Sequence, residues 1–299
     1  MALLPSAVWA VRDQAALSAL HLPDTDDVVR LQQIRDWLGG QGVGDLAQHR
    51  LGIAGVEMHW SRLPDLVPAA IIVLLTPLLG AHGAEAVAVI AWPALLFIAA
   101  LTLTGAIARA LETSAPTAIV IAALAYPASA LFLPGRIDHH GLQLVLLLTS
   151  VLALLGRGSW GKGVAAGLAS AASLVIGMEM APLLAAGGAV LAVRWIADGA
   201  RERERLTGYG LSLSAGLAMA ALLLRTSGWG YPACDGFALP LWRAAQVVAL
   251  VPLVLGLTAS WRSNMWMRFA AAALLGAVAA VAAPAISPSC LPPHSGVDT

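Results

Sequence analysis

From residue 86 to residue 108 the chain reads AVAVIAWPALLFIAALTLTGAIA, without one charged side chain. A helix apolar on every face must be enclosed by protein or by lipid, and this run has the ~20 residues that a hydrocarbon core demands. With its flank it extends over 84–108, and comparable runs fall at 116–133, 142–156, 163–178, 181–196, 206–224, 241–260 and 267–286. Each is read as a membrane-spanning helix, some drawing on flanking residues for length. The chain is therefore expected to be all-α, a polytopic transmembrane helical bundle of about eight helices with an extracytoplasmic first loop. A mean hydropathy of +0.79 with only 11% charged residues is incompatible with an ordinary soluble domain. The zero net charge offers no footprint for nucleic acid.

The remainder organises around that bundle. Residues 1–11 are too few to cross a membrane and lack the basic start of a signal peptide, so they are read as a partial first span. Residues 12–83 form an extracytoplasmic loop with amphipathic and juxtamembrane helices, 84–286 the bundle, and 287–299 an extracytoplasmic tail. On this reading the chain is truncated at both ends. The run Leu66 to Gly80, LVPAAIIVLLTPLLG, is short and contains two prolines. It is taken as a half-embedded helix, with a full extra span as the alternative.

Orientation follows from the basic residues, which are retained on the cytoplasmic side of a span. With 12–83 outside, the cytoplasmic loops hold Arg109, Arg157, Lys162, Arg194, Arg201, Arg203, Arg205, Arg262 and Arg268, and the later external loops only Arg136, Arg225 and Arg243. Counting Leu66 to Gly80 as a span would reverse this bias. The segment 12–65, the RIDHH loop and the GMEMAP turn then face one non-cytoplasmic side. Cys234 and Cys290 also fall there, where a disulfide is permitted, although a small buried residue or an idle thiol is the simpler reading of each.

Two acidic clusters stand out on that side. In HLPDTDDVVRLQQIRDWLGGQG the apolar residues Val28, Leu31, Ile34, Trp37 and Leu38 recur at helical spacing, with Arg30, Gln33 and Asp36 elsewhere, which predicts an amphipathic helix ended by Gly39 and Gly40. Asp24, Asp26 and Asp27 stand at its N-terminus. One aspartate is explained by capping; three repel one another and call for a cation, either a divalent ion such as Mg or Mn or a cationic substrate group. The second cluster, LPGRIDHHG, places Arg136, Asp138, His139 and His140 between two apolar runs. An ordinary loop with an Arg136–Asp138 ion pair competes there with a functional site, and two adjacent histidines cannot both point the same way. His59 and Trp60 fit interfacial hydrogen bonding and anchoring, the latter with Arg62. Glu179 is either a solvated turn residue or a third acidic group.

An external aspartate motif followed by an amphipathic helix with a basic residue six positions on, Asp24 to Arg30, resembles the first external loop of GT-C superfamily membrane glycosyltransferases. These include oligosaccharyltransferase catalytic subunits, protein O-mannosyltransferases and the aminoarabinose transferase of lipid A. PGRIDHHG looks like the second external loop of the oligosaccharyltransferase-like members, and DTDDVVRLQQIRDWLGGQG, MHWSRLPD and PGRIDHHG together resemble a bacterial branch of that superfamily. The match covers roughly residues 20–180; it departs from the common pattern at Thr25, where proline is frequent.

The resemblance implies a transferase that moves a sugar from a polyprenyl-phosphate donor to a lipid, glycan or protein acceptor outside the bacterial inner membrane. It implies Asp24 as base or acceptor-orienting carboxylate, Asp138 with Asp26 or Asp27 as metal or acceptor ligands, and Arg136, His139, His140, Glu179 and His59 as substrate-binding groups. Asp24 and Asp138 should then lie within about 10 Å of each other, since one acceptor must reach both. Two other classes remain, an ion- or proton-coupled transporter using the same ionisable residues and a non-catalytic remnant.

Overall fold

Leucine and alanine runs of this length have one way to satisfy their backbone in an apolar medium, and the computed structural model is helical almost throughout. It describes residues 2–53, 55–230, 236–258 and 264–287, so Cys234, Cys290 and Arg262 lie outside the described residues. The only strands among the described residues are two-residue pieces, Ala47–Gln48 and Val56–Glu57. Four stretches, Leu63–Ala110, Ala181–Leu223, Leu239–Leu257 and Met265–Ala285, are long and apolar enough to cross a membrane. The chain is an all-α membrane protein, and it divides into two compact units, Met1–Val56 with Arg62–Leu155 and Glu57–Ser61 with Gly156–Thr299.

The first unit contains α1 (Leu3–Arg12), α2 (Gln14–Ser18), α3 (Thr25–Leu38), α4 (Leu66–Ala110), α5 (Ala115–Leu124) and α6 (His140–Leu154). Its core is the buried face of α4, with Ala88, Val89, Trp92, Leu96, Phe97 and Leu101, against Leu31 and Ile34 of α3 and Phe132 and Ile137 of the loop before α6. Phe97 and Phe132 stack with ring centroids 5.3 Å apart. The run expected to span 116–133 does not continue as one helix. α5 stops at Leu124, and a 3-10 turn, Ala128–Phe132, follows Pro127. Proline lacks the N–H that a helix interior needs and disfavours helical geometry in the residue before it.

Helix α4 is two helices joined at Gly80, whose φ of 69° is open to glycine and costly for other residues. Two ion pairs determine the course of its first part. Asp65 pairs with Arg30 at 3.0 Å and Glu85 with Arg35 at 2.6 Å, both arginines lying on α3. Five residues of helix separate the two arginines, about 7.5 Å of rise, so both ends of the stretch 66–84 stand beside one short helix. The outward apolar residues of that stretch, including Val73, Leu74 and Leu78, are exposed.

The second unit contains α7 (Trp160–Ile176), α8 (Ala181–Asp198), α9 (Arg203–Leu223), α10 (Leu239–Leu257) and α11 (Met265–Ala285). Helices α7 and α9 approach backbone to backbone. A Cβ at Gly163 would collide with the Arg205 carbonyl, and one at Gly167 with Ser212 and the Tyr209 carbonyl. Small residues at four-residue steps permit such contact in an apolar medium. Arg194 and Arg205 both donate to the Gly156 carbonyl at 2.7 Å, and Arg268 donates to the Ile196 carbonyl at 2.9 Å. These basic loops thus gather at one end of the unit.

Candidate functional site

The site is built where α3 begins. Asp24 is extended and caps the helix, accepting the Asp26 N–H at 3.3 Å and the Thr25 hydroxyl at 3.2 Å on Oδ1. Asp24 is the one well-exposed member of the cluster, with 44% of its side chain accessible. One turn on, the Asp27 carboxylate is fully buried and accepts the backbone N–H groups of Ile137 and Asp138, each at 2.8 Å, on Oδ1.

The second loop is brought to this helix end by Gly135. Its N–H donates to the Val89 carbonyl at 2.8 Å, and its φ is 91°. A Cβ there would stand 2.8 Å from Pro23 Cδ, so any other residue meets both backbone strain and a clash with the segment that leads into Asp24. Directly after it, Arg136 spreads its guanidinium over three carboxylates. Nη1 lies 3.0 Å from Asp24 Oδ2 and 3.6 Å from Asp27 Oδ2, and Nη2 lies 2.5 Å from Asp138 Oδ2. The fork thus ties Arg136 to a residue 112 positions away, and its reach sets the Asp24 and Asp138 oxygens no more than about 8 Å apart. Asp138 accepts the His140 N–H at 3.1 Å on its other oxygen.

Behind this layer lies a second, wholly buried one. Arg30 donates to Asp65 Oδ1 at 3.0 Å and to His139 Nδ1 at 3.3 Å. A guanidinium N–H only donates, so Nδ1 is the acceptor in this contact. Arg62 stands 3.7 Å from Asp65 and donates to the Gln33 and Asp45 carbonyls and to Gln41 Oε1. Its guanidinium also stacks 5.7 Å from the Trp37 ring centre. Arg62 is thus a buried structural cation, where sequence had suggested a partner in interfacial anchoring. Helix α3 likewise buries Arg30 and Gln33 while Val28 and Leu38 are exposed, because the elements it meets present carboxylates and carbonyls as well as apolar groups.

The electrostatics separate the acids. The Asp24 carboxyl is held below its ordinary value by the Asp26 N–H and by Arg136. Burial, and then the charge of Asp138, push Asp27 from 3.8 up to about 7, against the opposing pull of Arg136 and the two N–H donors. Between these values the folded protein holds a proton that the unfolded chain has lost. Stability from this group therefore falls as pH rises from 3.8 to about 7 and then levels off. Asp27→Asn titrates no such proton, so its unfolding midpoint should gain on that of the wild type between about pH 5 and pH 8. A pH-independent gap between the two would contradict the assignment.

The other expected site residues are distributed unevenly. Asp26 contributes its N–H to Asp24, His139 is buried with its ring 4.4 Å from that of His140, and His140 opens α6. His59 and Glu179 belong to the second unit, His59 edge-on to Trp60 at 5.4 Å and Glu179 exposed in the turn between α7 and α8. Among the described residues no group of three or more His, Cys, Asp or Glu side chains has metal-holding geometry. Asp27 and Asp138 offer the hard oxygens that Mg or Mn prefer, and Asp27 Oδ2 has no hydrogen-bond donor, but Arg136 occupies the space between them.

Sequence reading passed over Asp65, Glu85 and Gly135. The Arg62–Asp65 spacing, just ahead of an apolar run, was the available signal for the first. The second unit also holds an apolar cavity of about 610 Å³, lined by residues such as Leu184, Leu213, Val248, Leu255 and Ala279. No family model, no curated protein and no solved structure matches the chain.

Proposed function

We propose that the chain is a membrane glycosyltransferase of the GT-C kind, acting outside a bacterial inner membrane on a polyprenyl-phosphate-linked sugar. The observation that carries this reading is the Arg136 bridge, which gathers Asp24 and Asp138 from two separate loops beside an exposed carboxylate. In the transfer, the acceptor hydroxyl attacks the anomeric carbon and its proton passes to Asp24. The bond from that carbon to the phosphate oxygen breaks, and its electron pair leaves with polyprenyl phosphate. Asp24 suits the proton-accepting role because it is accessible and ionised at neutral pH. Arg136 supplies positive charge within reach of the departing phosphate.

The apolar cavity in the second unit supports a lipid-borne substrate, since such a space accepts hydrocarbon and little else. The test uses the purified protein in lipid vesicles with polyprenyl-phosphate hexose and a panel of lipid, glycan and peptide acceptors. Release of polyprenyl phosphate with labelled sugar on an acceptor is the expected result. Ion or proton flux across the vesicle without any sugar transfer would replace this reading with a transporter.

A further inference from the structure

We infer that Asp27 is the positioning residue of the two-loop site, its buried carboxylate clamping the backbone of Ile137 and Asp138 so that Arg136 and Asp138 stand against Asp24. The catalytic consequence rests on the transfer reading above; the clamp itself rests on geometry alone.

Successive N–H groups in an extended chain point to opposite sides, so two of them reach one oxygen only in a tightly turned loop. Here both reach Asp27 Oδ1 at 2.8 Å, and the Ile137 N–H is shared with the Gly135 carbonyl at 3.0 Å. The loop is thus tied at two points, at Gly135 to Val89 of α4 and at 137–138 to Asp27 of α3, with Arg136 held between them. Three residues further along α3, Arg30 holds the ring of His139. One helix therefore grips three consecutive loop residues, two by backbone and one by side chain. Asp27 has no exposed surface, which suits a support better than a group that meets substrate. The clamp needs an acceptor oxygen and not a negative charge, and this separates it from catalysis or metal binding.

The test compares Asp27→Asn, which keeps an acceptor, with Asp27→Leu, which removes it, in the full chain in lipid nanodiscs. Amide hydrogen exchange at residues 137 and 138 and the kcat and KM of sugar transfer are read together. With the clamp, the Asn variant keeps exchange and kcat within about 10-fold of wild type. The Leu variant speeds exchange by about 100-fold, the equivalent of two lost hydrogen bonds. Its kcat falls by a similar factor with little change in KM. The proposal is overturned if the Asn variant loses kcat as completely as the Leu variant, or if the Leu variant exchanges at the wild-type rate. Should the Leu variant not fold, the Asn variant decides, because a catalytic or metal-binding carboxylate would not tolerate the amide. If wild-type protein transfers no sugar, the transfer reading fails by itself, and exchange alone then decides the clamp.

Discussion

Arg136→Ala should abolish sugar transfer, lowering turnover by about 1,000-fold, because it removes both the charge beside the leaving phosphate and the bridge between the two loops. The same change leaves Asp138 and Asp27, both buried, without the cation that faces them. Removing one partner of a buried pair costs about 3–5 kcal/mol, and Arg136, with 18% of its side chain exposed, should fall at the lower end of that range. Arg136→Lys separates the two contributions. An ammonium is a point charge and cannot span Asp24 and Asp138 as a fork does. The lysine variant should recover most of the stability and remain about 100-fold slower than wild type. Full turnover in the alanine variant would show that the bridge has no part in the reaction.

Arg30→Leu should be the most destabilising single change in the first unit, by about 3–5 kcal/mol in unfolding free energy, read from denaturation in mixed micelles. It strands Asp65, which has no exposed surface and would keep only Arg62 at 3.7 Å, and it removes the donor to His139. The double variant Arg30→Leu with Asp65→Leu should be more stable than Arg30→Leu alone, since it buries no uncompensated charge. Arg62 retains the Gln33 and Asp45 carbonyls as acceptors in that background. A double variant as unstable as the sum of two damaging singles would mean that packing, and not charge pairing, sets the cost.

How far the fold was legible depends on the kind of interaction. Apolar runs announce helices directly, and the runs beginning near 142, 163, 181, 206, 241 and 267 are helices at those places. The run at 116–133 misled because composition does not register what Pro127 does to backbone hydrogen bonding. Helix α3 was recognisable by its periodicity, but its buried face was not. Periodicity assigns Arg30 and Gln33 to solvent, whereas their partners come from sequence separations of 35 and 109 residues for Arg30 alone. Arg136 and Asp138 were legible as charged residues out of place between apolar runs, and Asp24 as one of three mutually repelling carboxylates at a helix start. Arg30 and Arg62 had no such contrast, because each sits in a polar segment where charge is ordinary. The Gly135 signal was equally faint, since only the approach of Pro23 explains the need for glycine there.

The central claim is that Asp24 and Asp138, joined through Arg136, form one reacting site. It is tested most directly by the turnover of polyprenyl-phosphate hexose by wild type, Asp24→Asn and Asp138→Asn in the same vesicles. Wild-type turnover with a loss of about 100-fold or more in each variant is the predicted result, with each variant folded as judged by its unfolding midpoint. Equal turnover in all three proteins would contradict it.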